Sequence, residues 1–399
     1  MKFETLDRIN GFSLALLAAM PIIRSDILAG GPVLLLIFPS FLLIATGLMK
    51  IYSKGTKIFD AYTVSYFYLI IVLFVYLIIS ASWNVNNVPV QQDILKILFL
   101  LFIALSVIIS FNKESAYYFL KWIIIFAVFV TAMLFYQYLT TRSLRGYLDI
   151  GYLAWSQLIG MGAITSFSML LFYPEYKGKK AAFITVFLYI GLAASLARGS
   201  LIVGVGLAVL MTLYYFKTNR KKSYSLTEWF KNKSLRILGF FSIGFVILAA
   251  SQIERTAARF LDLLGGSLGG RENLWGNSII GFLEAPLIGY GLGNSGIISV
   301  GRPDYYPHNL FLQVLVDGGI FPAILLIIIC VYPVIRTYSF FKKYHLKSRL
   351  WIPVLAMYVF LFAEYFKSSN FYESRVFIAV AILLVIVTEK TIEKRTYSK

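Results

Sequence analysis

The chain carries a single cysteine, Cys330, set in an apolar run. No intrachain disulfide can form, and the thiol content says nothing about a redox compartment. Histidine is almost as scarce, with His308 and His345 alone. Charged residues make up 14% of the 399 positions, where a soluble domain carries about 25%. That shortage excludes a water-facing surface of ordinary polarity. No cleavable signal peptide is evident: the first apolar stretch, 11–23, lacks a small-residue cleavage site and reads as a retained helix. No internal repeat is evident either.

What is present is hydrocarbon. Hydrophobic residues make up 59% of the chain, and the mean hydropathy is +0.77. The runs 69–79, 98–109, 123–135 and 324–331 carry no charge at all. A spanning helix needs roughly 17–25 mostly apolar residues, and about twelve such stretches fit. The pattern predicts spans over 10–23, 32–49, 62–82, 93–111, 120–139, 152–173, 181–196, 201–216, 235–251, 318–335, 350–366 and 376–389. The expected fold class is therefore an all-α integral membrane protein of about twelve transmembrane helices. Residues 1–251 hold the first nine spans, 252–317 form one large structured external loop, and 318–399 hold the last three spans and the C-terminus.

Charge sets the orientation. With both termini in the cytoplasm, 26 of the 37 basic residues fall on the inside, as the positive-inside rule requires. The net charge of +18 then reflects cytoplasmic loops and not a nucleic-acid partner. The eleven outside are Arg24, Lys96, Arg142, Arg145, Arg198, Arg255, Arg259, Arg271, Arg302, Lys367 and Arg375. Nine of these are arginine, against six of the 26 inside. Positive-inside sorting does not separate the two residue types, so a second requirement selects arginine outside. A planar fork that grips phosphate or carboxylate in bidentate fashion meets it. The competing reading is that some of them snorkel to headgroup phosphates.

The external loop opens on an amphipathic piece, 253–264, with Arg255 and Arg259 four apart on one face. A glycine-rich hinge, 265–270, leads to a second helix over 272–284, and the chain then tightens at Pro286, Gly289, Gly291 and Gly293. His308 follows Tyr305-Tyr306-Pro307 at the outer edge of the tenth span. A neutral imidazole there can take a proton from a hydroxyl, or can simply make a structural hydrogen bond. His345 lies in the basic loop 342–349 and reads as solvated. Arg198 sits between two apolar helices, where an arginine faces a cavity or a partner charge, or merely the bilayer surface. Arg271 stands at a helix N-terminus, a good anion site unless Glu272 or Glu284 pairs with it. Outside carboxylates are sparse and form no Asp-x-Asp pair, so no metal site is expected. Glu272, Glu284 and Asp304 remain as candidates for orienting His308.

Three fragments of this loop resemble a known family. They are Gly270-Arg271-Glu272-Asn273-Leu274-Trp275, then Pro286-Leu287-Ile288-Gly289-Tyr290-Gly291, then Pro307-His308-Asn309 with Gly318-Gly319 downstream. Their order and spacing are similar to the O-antigen polymerase and ligase superfamily of integral-membrane glycan transferases. The resemblance implies a GT-C-like helical bundle in the bacterial inner membrane, with its active site on the periplasmic side. It implies a metal-independent, inverting transfer of a glycan from undecaprenyl diphosphate, with no cofactor. His308 then matches the catalytic base, and Arg198 and Arg271 match the arginines that hold the diphosphate. Arg142, Arg145, Arg255, Arg259, Arg302, Tyr290 and Asn309 are candidate substrate-binding residues. The acceptor is a second lipid-linked repeat unit in a polymerase and lipid A–core in a ligase, and a chain-length regulator protein is a further partner. The segment Arg145-Gly146-Tyr147-Leu148 with Tyr152-Leu153-Ala154-Trp155-Ser156-Gln157 favours the polymerase branch. A flippase of lipid-linked sugars would place charge within the spans or show repeated halves. A structural scaffold would leave the external arginine bias unexplained.

Overall fold

The computed structural model describes residues 3–23, 34–54, 61–141, 148–176, 178–195, 197–219, 271–303, 305–344 and 350–396. The described residues are helical, with no strand among them. In chain order the helices are α1 (Phe3–Ile22), α2 (Leu34–Lys54), α3 (Ala61–Ser80), α4 (Gln91–Ser110), α5 (Lys113–Thr141), α6 (Leu148–Phe172), α7 (Lys179–Ala194) and α8 (Arg198–Asn219). They continue with α9 (Arg271–Glu284), α10 (Ser295–Val300), α11 (Leu310–Gly318), α12 (Ile320–Tyr344), α13 (Trp351–Ser368) and α14 (Arg375–Thr396). Among the described residues, six helices are long and apolar enough to cross a membrane by length and composition. Helices overlie the expected spans except the ninth, 235–251, which lies outside the described residues together with the 253–264 piece and the glycine-rich hinge.

The chain divides into two compact units, one of residues 1–43, 113–256 and 347–361, the other of 44–112, 257–346 and 362–399. In the first, small residues let helices approach closely, as they do where lipid supplies no hydrophobic drive for association. A methyl group at Gly11 would stand 2.5 Å from the Phe119 backbone nitrogen, so α1 lies directly on α5. One at Gly162 would stand 2.2 Å from Ala127 Cβ. Polar side chains in this unit pair with one another: Ser115 donates to Asp7 Oδ1 at 2.6 Å, and Ser166 and Thr185 hydroxyls meet at 2.6 Å between α6 and α7. Ser200, one turn into α8, donates to Ser156 on α6 at 3.2 Å.

In the second unit α3, α4, α12 and α14 pack on one another, α11 packs on α3 and α12, and α9 and α10 pack on α11. The Tyr66 hydroxyl of α3 donates to the Ile329 carbonyl of α12 at 2.8 Å, and its ring stacks on Tyr332 at 5.4 Å. The chain between α9 and α10 is stitched by backbone bonds. Tyr290 N–H donates to the Val316 carbonyl, Gly291 N–H to the Asp317 carbonyl, both at 2.9 Å, and Val85 N–H to the Tyr290 carbonyl at 3.0 Å. Gly291 has φ +89, and a Cβ there would lie 2.7 Å from Asn84 Cα, so glycine is required on both counts. Asn84 Oδ1 in turn accepts from Asn294 at 2.7 Å.

Candidate functional site

The site lies in the second unit, at the carbonyl end of α13. Arg271, first residue of α9, donates from Nη1 to the Lys367 carbonyl at 2.7 Å. His308 holds Nδ1 3.4 Å from the carbonyl of the next residue, Ser368. The last carbonyls of a helix lack intrahelical donors and carry its negative partial charge. Two consecutive ones here orient a guanidinium and an imidazole side by side. A further bond fixes the spacing between their segments: the Trp275 indole, one turn into α9, donates to the Pro307 carbonyl at 3.0 Å.

His308 is half-buried, and its backbone takes φ +55, the left-handed region that a non-glycine residue seldom adopts. The imidazole lies against Tyr306, whose ring centroid is 4.3 Å from its own. Burial holds the His308 pKa below the ordinary 6.5; the Ser368 carbonyl opposes that shift and the Arg271 charge adds to it. With Nδ1–H donating to Ser368, the basic lone pair is on Nε2. An imidazole held in this way can accept a proton at Nε2.

Among the described residues, the partner at His308 Nδ1 is a main-chain carbonyl and not Glu284. Glu284 accepts from the Tyr290 hydroxyl at 2.8 Å, Asp304 lies outside the described residues, and a main-chain carbonyl at residue 368 takes the role at Nδ1. Backbone acceptors leave no trace in residue identity, so this one was invisible to a reading of side chains.

Lys367 adds a second cation to the cluster. Its Nζ pairs at 2.6 Å with Glu364, a fully buried carboxylate one turn earlier on α13. Burial lowers the lysine pKa, and the Arg271 charge lowers it further while Glu364 acts the other way. The Glu364/Lys367 spacing of three was legible as a helical ion pair. It places a charge inside the expected span 350–366, which reasoning from bare hydropathy had treated as essentially charge-free.

Of the remaining candidates, those described in this unit have partners of their own. Asn309 is buried, and its Oδ1 caps α11 by accepting from Phe311 and Leu312 N–H at 2.9 and 3.1 Å. Tyr290 spends its hydroxyl on Glu284, a neighbour on the same loop. Arg302 is exposed and stacks its guanidinium 4.8 Å over the Tyr305 ring. Arg198 is the first residue of α8, in the other unit, and its side chain is outside the described ones. Arg142, Arg145, Arg255 and Arg259 lie outside the described residues, as does His345.

Beneath the histidine, α11 is anchored by buried polar contacts that sequence reasoning passed over. Gln313 donates to Asn370 at 3.0 Å and accepts from the Phe371 amide at 2.7 Å. Asp317, fully buried, accepts from the Ser295 amide at 2.7 Å and meets the Tyr372 hydroxyl at 2.5 Å. Burial pushes the Asp317 carboxyl up to about 7 despite both hydrogen bonds. These contacts hold α10, α11 and the 371–373 turn in one register.

Residues 181–328 match the O-antigen ligase family model. The match supports the O-antigen polymerase and ligase superfamily, and with it a polymerase- or ligase-type, glycosyltransferase-like activity in a multi-pass membrane protein. The matched stretch contains Arg198, Arg271 and His308. No curated protein matches the chain.

Proposed function

We propose that the protein is a surface-polysaccharide polymerase of the inner membrane. It transfers a glycan from undecaprenyl diphosphate to a sugar hydroxyl of another lipid-linked repeat unit. The observation that carries this reading is the seating of Arg271 and His308 on consecutive carbonyls at the end of α13. Transfer from a diphosphate needs a cation where charge develops on the leaving group and a base on the attacking alcohol. Arg271 is the cation, with a planar fork suited to phosphate oxygens. His308 Nε2 receives the alcohol proton as the new glycosidic bond forms and the bond to the diphosphate breaks. Arg198 is given the diphosphate role by the resemblance alone. Lowering of the His308 pKa keeps the base neutral at physiological pH.

The second reading is a ligase, which the description of the matching family favours. It would pass the finished glycan to lipid A–core with the same two groups. Deleting the gene and running the surface polysaccharide on a gel separates the two. Single-repeat lipopolysaccharide means a polymerase, and bare core with accumulated lipid-linked chains means a ligase. An unaltered ladder would overturn both. Restoring the gene with His308→Ala should fail to rescue the ladder at unchanged protein level.

A further inference from the structure

Helix α9 presents its faces the wrong way round for a helix in water. Its small and polar side points inward: Ser278 donates to the Ser299 hydroxyl at 3.3 Å, and Asn277 donates to the Ser299 carbonyl at 2.9 Å. A methyl group at Gly281 would stand 2.2 Å from Ile298 Cγ2. Its apolar side points outward, with Ile279, Ile280 and Leu283 exposed by 48%, 57% and 67%. At 3.6 residues per turn these three fall in one arc roughly 100° wide, opposite Ser278 and Gly281. A helix on an aqueous surface buries the stripe that α9 exposes. The bare face runs on past the helix end through Leu287 and Ile288, exposed by 73% and 54%.

That face is continuous with the outer surface of a candidate span. The Pro286 carbonyl accepts from the amide of Ile320, first residue of α12, at 2.9 Å. From there Phe321, Ile324, Ile327 and Ile328 are exposed along the apolar stretch Ile320–Ser339. Aromatic rings gather at the junction. The Trp83 indole donates to the Ile288 carbonyl at 3.1 Å, and Tyr76 packs 6.0 Å from Trp83 and 5.3 Å from Phe321. Tryptophan and tyrosine collect at the membrane–water boundary, where one end of the ring is dry and the other wet.

We propose that α9 and the turn after it rest in the membrane interface, with Ile279, Ile280, Leu283, Leu287 and Ile288 seated in the hydrocarbon edge of the adjoining leaflet. The occupant of the bare face is lipid, because the face joins the lipid-facing side of α12 through a hydrogen-bonded junction ringed by aromatics. Asn273 and Glu284, both exposed, lie on the polar flank at headgroup level. An interfacial helix of this kind buries its apolar face about 5–10 Å into the headgroup and acyl boundary. The proposal rests on the membrane reading of α12 and not on glycan transfer. It brings Arg271, at the start of α9, to the depth of lipid phosphates.

The test uses the full chain with Cys330→Ser, reconstituted in nanodiscs of phosphatidylethanolamine and phosphatidylglycerol. Ile279→Cys, Leu283→Cys, Leu287→Cys and Asn273→Cys are made one at a time and labelled with a nitroxide. Each variant must melt within error of its parent to be scored. Collision with oxygen should exceed collision with a water-soluble nickel chelate at positions 279, 283 and 287, and the order should reverse at 273. Nickel dominance at all four positions would overturn the proposal. Protection from both reagents at 279, 283 and 287 would also overturn it, since a second copy or another protein would then cover the face.

Discussion

Trp275 donates its indole N–H to the carbonyl of Pro307, and by that one bond the helix that begins with Arg271 is tied to the residue preceding His308. The bond sets how far apart a cation and a base stand. Neutral hydrogen bonds of this type contribute about 0.5–1.5 kcal/mol. Trp275→Phe keeps the apolar bulk and removes the donor. The expected outcome is a several-fold loss of glycan transfer with little change in melting temperature. Full activity in this variant would show that the spacing is fixed by other contacts.

Arg271→Lys keeps the charge and loses the fork, together with the bond to the Lys367 carbonyl. Hydrogen bonds to charged groups contribute about 1.5–3 kcal/mol, so transfer should fall about 10- to 100-fold. Near-normal rates in membranes with equal protein would remove Arg271 from donor binding.

The pH profile carries a sign. His308 titrates below 6.5, chiefly through burial, with the Arg271 charge contributing. A base works in its neutral form, so activity should rise with pH through a limb centred below 6.5 and be level above it. Arg271→Gln removes one cause of the depression and should move the limb upward in whatever activity remains. A limb that stays in place would separate the two groups.

Asp317 sets the pH dependence of stability. Its folded pKa of about 7 stands above the ordinary 3.8. A raised carboxyl favours the fold while protonated, and that contribution fades as pH rises through the folded value. The melting temperature of the wild type should fall from about pH 4 to about 7 through this group and level off above, about one proton's worth of linkage. Asp317→Asn, which stays neutral, should flatten that slope. An unchanged slope would assign it to other groups.

Gly319 takes φ +79, and a Cβ there would lie 2.3 Å from the Leu287 carbonyl oxygen. Both terms oppose any side chain. Gly319→Ala should lower the yield of folded protein and the melting temperature by several degrees, as expected for a loss of about 1–3 kcal/mol from a strained backbone position. Wild-type stability would mean that the loop can shift.

How far the sequence could be read depended on what each feature is made of. Where helices fall was legible because hydropathy is a property of side chains: α3 and α4 follow the expected stretches closely, and α12 covers its own and runs on to Tyr344. The helix expected at 272–284 is present and starts at Arg271. His308 stood out by scarcity and Arg271 by its place in a motif. The carbonyls of residues 367 and 368 were illegible, since a main-chain acceptor looks the same under any residue. Asp317 was counted as a sparse outside carboxylate, and only packing reveals that Tyr372 and Ser295 close around it. Asn309, expected as a substrate contact beside the histidine, is also the residue whose side chain caps α11.

Because Arg271 and His308 lean on neighbouring carbonyls of the same helix end, α13 can disarm them only together. One residue of axial slip is about 1.5 Å, enough to break both hydrogen bonds in a single movement. Helices tilt to match the bilayer they cross. On the proposed reaction, a bilayer that shifted this helix end would unseat the Arg271 guanidinium and the His308 imidazole in one movement.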